Sequence, residues 1–164
     1  MKDQTSPISE TQVAQDLPRL IERMHRRYLD VVRIELARRG FMDISPVQAV
    51  MLGTIGTEEI SVRDLIERGY YLGSNASYNL KNLVDGNYVI RQASVRDRRS
   101  ARLKLSPKGR EILELLAKLN LQMADHLIKP EGRELEAVHQ TLRHLERRWT
   151  DAIRSEAAGT DDDF

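Results

Sequence analysis

Between Arg91 and Lys104 the chain carries six cations, Arg91, Arg96, Arg98, Arg99, Arg102 and Lys104, against one acid, Asp97. Guanidinium groups clustered in this way suit phosphate oxygens, or the concentrated negative potential of a narrow minor groove. Asp97 is placed to pair with one of its neighbours, Arg98 or Arg99, and hold the local shape. A second set lies upstream: Ser74, Asn75, Ser77, Tyr78, Lys81 and Asn82 fall on one helical face. All but Lys81 are neutral hydrogen-bonding groups. An Asn amide such as that of Asn75 bonds adenine in two places in a major groove. Lys81 suits a phosphate, which positions a protein without specifying sequence. Both sets also read as solvated surface, so the choice rests on the elements that carry them.

Other chemistries find no support. The absence of cysteine excludes thiol catalysis, disulfides and Cys-ligated metals. Of His25, His126, His139 and His144, the last two stand five apart, a poor chelating step on a helix, and no H-E-x-x-H motif occurs. There is no Gly-rich phosphate loop, nucleophile elbow or clustered acid pair, so neither an enzyme, a cofactor nor a metal is expected. No apolar run approaches the ~18 residues of a membrane span, and the first residues lack the apolar core of a signal peptide. A cytoplasmic protein with no membrane partner is expected. The net charge of +1 over 164 residues is uneven: residues 61–110 hold 11 Lys+Arg against 4 Asp+Glu, a balance of +7 set against −6 elsewhere. A basic centre suits a polyanion partner.

Residues 1–16 read as a polar arm. An apolar stripe of Leu17, Leu20, Ile21, Met24, Tyr28, Val31 and Val32 predicts a helix over 17–39, capped by Asp16, with Pro18 in its first turn. Ser45-Pro46-Val47-Gln48 opens a second helix and Ser61-Val62-Arg63-Asp64 a short third. The polar-faced fourth runs from Gly73-Ser74 to Gly86-Asn87, with Ala76, Leu80, Leu83 and Val84 on its apolar side. Tyr88–Ser94 and Ala101–Leu105 then read as two strands of a basic hairpin. Ser106-Pro107 starts a fifth helix to about residue 128, and a sixth runs from about Glu131 to Arg154. Leu135, Val138, Leu142, Leu145 and Trp149 recur at alternating steps of three and four, a coiled-coil seam suited to dimerisation. Residues 159–164 read as a disordered tail. The fold class is mainly α with a small β-hairpin wing: a winged helix-turn-helix unit over 45–106, flanked by dimerisation helices over 17–44 and 107–158.

The segment D-R-R-S-A-R-L-K-L-S, Asp97 to Ser106, resembles the wing signature of MarR-type transcriptional regulators, with Ser106 where the family has Thr. P-K-G-R-E from Pro107, D-L-I-E-R-G from Asp64 and N-L-K-N-L-V-D-G-N-Y-V from Asn79 are similar to adjoining family segments. Leu72 and Gly73 stand where the family often has Ser or Thr, which shifts the cap of the fourth helix towards Ser74. Tyr78 and Asn82 stand where Arg is common, so a different DNA sequence should be read. The resemblance implies a homodimer on a palindromic double-stranded site, with the fourth helix in the major groove and Arg96, Arg98 and Arg99 at the minor groove. Its expected output is repression, relieved by a small aromatic or amphipathic effector. Met24, Tyr28, Val47, Met51 and Met123 are candidates for that effector's pocket, although such residues are more often simply core. A protein-interaction adaptor without sequence-specific DNA binding is the alternative.

Overall fold

Serine side chains set the helix starts. In a computed structural model that describes residues 9–69, 71, 73–93, 101–127 and 132–159, α1 spans Glu10–Arg38 and α2 spans Pro46–Ile55. Each follows a reciprocal capping box. Ser9 Oγ accepts from Gln12 N while the Gln12 side chain accepts from Ser9 N, and Ser45 and Gln48 repeat the exchange. The expected arm over 1–16 is therefore corrected: residues 10–16 are helical, Asp16 is no cap, and Pro18 lies inside α1. Two satisfied backbone groups at Ser9 outweigh the polar composition of this stretch, and the missing N–H of Pro18 costs one internal bond. Ser61 and Asp64 cap α3 (Val62–Gly69) in the same way, at 3.0 and 3.1 Å.

The chain continues through α4 (Gly73–Asp85), β2 (Val89–Ala93), β3 (Ala101–Leu105), α5 (Pro107–Leu127) and α6 (Gly132–Gly159). A two-residue strand, β1 (Ile60–Ser61), precedes α3 and pairs antiparallel with β3, Ile60 opposite Leu103 and Ser61 opposite Arg102. The hairpin expected from the sequence is thus part of a three-stranded sheet in the order β1-β3-β2. Two residues are too short to show a period, and their pairing comes from β3. The central strand buries Leu103 and Leu105 and exposes Arg102 and Lys104. Below it Leu36, Leu52, Ile55, Leu65, Leu83 and Ile112 form one core, fed by α1 to α5.

Residues up to Leu119 form one compact unit, and those from Asn120 a second. In the second, α6 carries no buried residue among those described, and Leu135, Val138 and Trp149 stand 40–52% exposed. α6 takes in Gly159, assigned above to the tail; residues 160–164 lie outside the described residues.

The root of the hairpin is closely packed and held by hydrogen bonds. Asn87 turns with φ of 65°, and Tyr88 is buried behind it. Ser106 N donates to Tyr88 O at 3.0 Å, and Ser106 Oγ donates to Asn87 O at 2.6 Å while accepting from Gly109 N at 3.0 Å. The Tyr88 hydroxyl donates to Asp43 Oδ1 and the Lys108 ammonium to Asp43 Oδ2, both at 2.6 Å. Lys108, then Tyr88, hold the Asp43 carboxyl below the usual Asp value. The bond to Asp43 raises Lys108, while burial first, and Asp43 second, raise Tyr88.

Two consequences are measurable. A Cβ on Gly109 would meet Tyr88 O at 2.1 Å, whereas one on Gly53, inside α2, meets nothing within 4 Å. Chemical denaturation should show Gly109→Ala destabilised by roughly 1–3 kcal/mol and Gly53→Ala stabilised by about 0.5–1 kcal/mol. In a carboxyl NMR titration Asp43 should have its midpoint below the ~3.9 of an ordinary Asp, and Lys108→Met should move it back up. A depressed folded pKa gives stability that is present above the unfolded value and lost as pH falls through the folded one, so acid should release this tie.

Candidate nucleic-acid interface

α4 is positioned from beneath. Ala76, Leu80 and Leu83 are buried, with Val84 packed against the core. Ser74, Asn75, Ser77, Tyr78 and Lys81 are exposed, Tyr78 to 68%. Ser74 lies within the first turn, because α4 already begins at Gly73, so it is not the cap expected from the sequence. Tyr71, between α3 and α4, has its hydroxyl 3.3 Å from Thr54 Oγ1 of α2, and its N–H donates to Ile66 O. Its ring lies over Gly69, where a Cβ would fall 2.0 Å from it.

Hydrogen bonds within α4 decide what its exposed side chains can offer. Ser77 Oγ donates to Gly73 O at 2.8 Å, leaving the hydroxyl as an acceptor. Asn79 Nδ2 donates to Asn75 O at 2.9 Å, while Asn82 is half-buried. The Lys81 ammonium pairs with Asp85 at 2.6 Å, and that bond raises its pKa. The helix therefore presents neutral donors and acceptors with one cation already partnered. The i,i+4 spacing of this pair is visible in the sequence, although the reading of residue types alone gives Lys81 to phosphate without it.

Arg96, Asp97, Arg98 and Arg99 lie outside the described residues. The strands that carry them are described, and Arg91, Gln92, Arg102 and Lys104 are exposed there. Lys104 lies 3.6 Å from Glu59. Arg102 stands beside Ser61 on one side and Gln92 on the other in the sheet register. Period-two alternation in Ala101–Leu105 marks Arg102 as outward-facing, although the sequence reading gives it no role of its own.

The candidate effector residues occupy unlike surroundings. Met51 is fully buried in the core, Tyr28 is half-buried, and Met24 and Val47 are 56% and 41% exposed. Met51 takes the core alternative of its reading, because α2 turns it inward with Leu52 and Ile55. Met123, 37% exposed, belongs to the second unit. Among the described residues no group of three His, Asp or Glu is arranged to hold a metal, and no helix is long and apolar enough to cross a membrane.

Against known proteins, the family model described as MarR family matches residues 42–100. The exopolysaccharide II synthesis transcriptional activator ExpG of Rhizobium meliloti (strain 1021) is 46% identical over 142 residues, covering 85% of this chain and 73% of the relative. The fold is shared with FabT of Streptococcus pneumoniae, solved in complex with DNA. That match has a TM-score of 0.68 and 24% identity, over 84% of this chain and 98% of the other. It is also shared with BpsR of Bordetella bronchiseptica, whose structure addresses regulation of DNA binding by 6-hydroxynicotinic acid. Here the TM-score is 0.64 with 16% identity, over 80% and 98% of the two chains.

The Lys81–Asp85 pair yields a prediction for DNA. Asp85→Asn removes an anion beside the face and frees Lys81, so affinity for every duplex should rise and the salt slope steepen by up to ~0.9. Asn75→Ala should instead cost about 1–3 kcal/mol on a preferred duplex, with little change on random DNA. Anisotropy titrations at several salt concentrations separate the two; equal losses on both duplexes for Asn75→Ala would remove it from base recognition.

Proposed function

The chain belongs to the MarR family of winged helix, DNA-binding transcriptional regulators, and from that premise we propose that it works as a homodimer on a palindromic site. The observation that carries the proposal is α4 itself. Three buried residues fix it to the core, and its other side presents Ser74, Asn75, Ser77 and Tyr78 to solvent beside a basic sheet. α4 enters the major groove. The wing, with Arg96, Arg98 and Arg99 near its tip and Asp97 shaping it, reaches the adjacent minor groove. Two-fold symmetry sets the half-sites about one helical turn, ~34 Å, apart.

Helices α1, α5 and α6 make the dimer. Leu135, Val138, Leu142, Leu145 and Trp149 are each half-buried or exposed in the single chain, and burying each one contributes roughly 1.5–3 kcal/mol. The protein acts on DNA in the cytoplasm. A small aromatic or amphipathic effector binds near Met24, Tyr28 and Val47 and shifts the population away from the DNA-competent state. BpsR, whose DNA binding is the subject of regulation by a small aromatic acid, supports this mode. The family resemblance leads to an expectation of repression; the 46% identical relative, a transcriptional activator, favours activation instead.

Selecting duplexes from a random pool with the full chain tests the reading. A palindromic consensus, bound with an affinity that falls steeply with salt, is expected. Replacing Arg98 and Arg99 with Ala should flatten the salt slope by ~0.9 for each phosphate that is no longer neutralised. Leu142→Glu with Leu145→Glu should turn a sedimenting dimer into monomer. A protein adaptor would select no consensus, and a promoter–reporter fusion fixes the sign of the output.

A further inference from the structure

We propose that Asp43 is a positioning residue for DNA binding, tying the loop after α1 to the root of the wing and so fixing the wing against α4. The proposal rests on the reading of α4 and the wing as the two DNA-contacting parts. Asp43 lies between α1 and α2, and its two carboxylate oxygens go to two different places in the chain. Oδ1 accepts from the Tyr88 hydroxyl, at the entry to β2. Oδ2 pairs with Lys108, the second residue of α5, just past the exit from β3. Lys108 also donates to Gly86 O at 3.2 Å, the first residue after α4, and its ammonium lies 4.1 Å from the centre of the Tyr88 ring. One carboxylate holds the start of the wing and, through Lys108, the return from it and the end of α4.

The hairpin root does not need Asp43 to close. Ser106 bonds Tyr88 O, Asn87 O and Gly109 N, and these hold the strands and α5 together on their own. What Asp43 adds is a third point of attachment outside the hairpin. Its side chain is 57% exposed and that of Lys108 37%, and ion pairs so exposed contribute little to stability. An attachment that stabilises little but restrains orientation matters when two elements must meet two grooves at once. A wing already set at its binding angle loses less freedom on DNA.

The test uses full-length protein, a duplex that wild type selects from a random pool, and a double-variant design. Asp43→Asn keeps an oxygen for the Tyr88 hydroxyl but loses the charge that holds Lys108. It should weaken binding to the selected duplex roughly tenfold with thermal stability nearly unchanged. Lys108→Met should match it, and Lys108→Arg should retain wild-type affinity. In a background lacking the wing cations, Arg96→Ala with Arg98→Ala and Arg99→Ala, Asp43→Asn should cost nothing more, because the wing then makes no contact that needs positioning. An equal loss in both backgrounds, no loss in either, or a loss that follows a fall in melting temperature overturns the proposal. A wild-type protein that selects no duplex overturns the DNA reading itself, a result distinct from any of these.

Discussion

The close approach of Gly109 to the carbonyl of Tyr88 is the constraint on which the first unit is built. That approach leaves no room for a Cβ, so α5 can begin against the hairpin root only with glycine there. Ser106 makes the junction an exchange of hydrogen bonds as well as a fit. Its hydroxyl receives the Gly109 N–H and donates to Asn87 O, and its own N–H serves Tyr88 O. Ser106 is buried, so leaving any of these groups unpaired would cost the full desolvation penalty. The result locks β3 to α5 in one geometry and places Leu103, Leu105, Ile112 and Leu116 along a single apolar surface. Leu80 and Leu83 of α4 belong to the same buried cluster, and α4 reaches it through contacts with β2 and α2.

The two halves of the proposed DNA-facing surface differ in electrostatics. Within α4 the one exposed cation is partnered by Asp85, and the remaining exposed groups at Ser74, Asn75, Ser77 and Tyr78 are neutral. The strands beside it carry Arg91 and Arg102, together with Lys104, which lies 3.6 Å from Glu59. A neutral hydrogen-bonding face gains most from a matching base edge and little from phosphate alone, while free cations gain from any duplex. On the proposed reading, selectivity and long-range attraction are therefore carried by different elements.

How much of this is legible in the sequence follows from how local each feature is. The caps at Ser45, Ser61 and Ser106 can be read because each is completed within three residues. The faces of α4 and α6 can be read because period alone separates buried from exposed positions. Ser9 escapes such a reading because the polar stretch around it looks like a frayed end, although the same Ser-x-x-Gln pairing appears at Ser45. β1 is not legible: a strand of two residues exists only through its pairing with β3. Nor is the inward turn of Met51, which depends on what α2 packs against. The links from Asp43 to Tyr88 and Lys108 span 45 and 65 residues, and no spacing rule reaches that far. At the candidate interface, residue types and exposure of the α4 set are legible, whereas the bonds that limit Ser77 and Lys81 emerge only from the folded helix.

The departures of this chain from its family's common pattern gain a physical sense from the structure. By the family resemblance, Tyr78 and Asn82 stand where an arginine is frequent. An arginine at either place would add a free cation to a helix whose only exposed cation is otherwise paired. With Tyr78 instead, that position offers a hydroxyl at the end of a rigid ring, 68% exposed and held on a helix whose underside is fully packed. A ring with two side-chain torsions loses little freedom on binding, so its hydroxyl can discriminate between base edges at small entropic cost. An arginine would discriminate mainly by seeking guanine and would also attract any phosphate nearby. On the proposed reading of α4 as the base-contacting helix, tyrosine and asparagine in place of arginine favour selection over general affinity, with charge supplied by other elements.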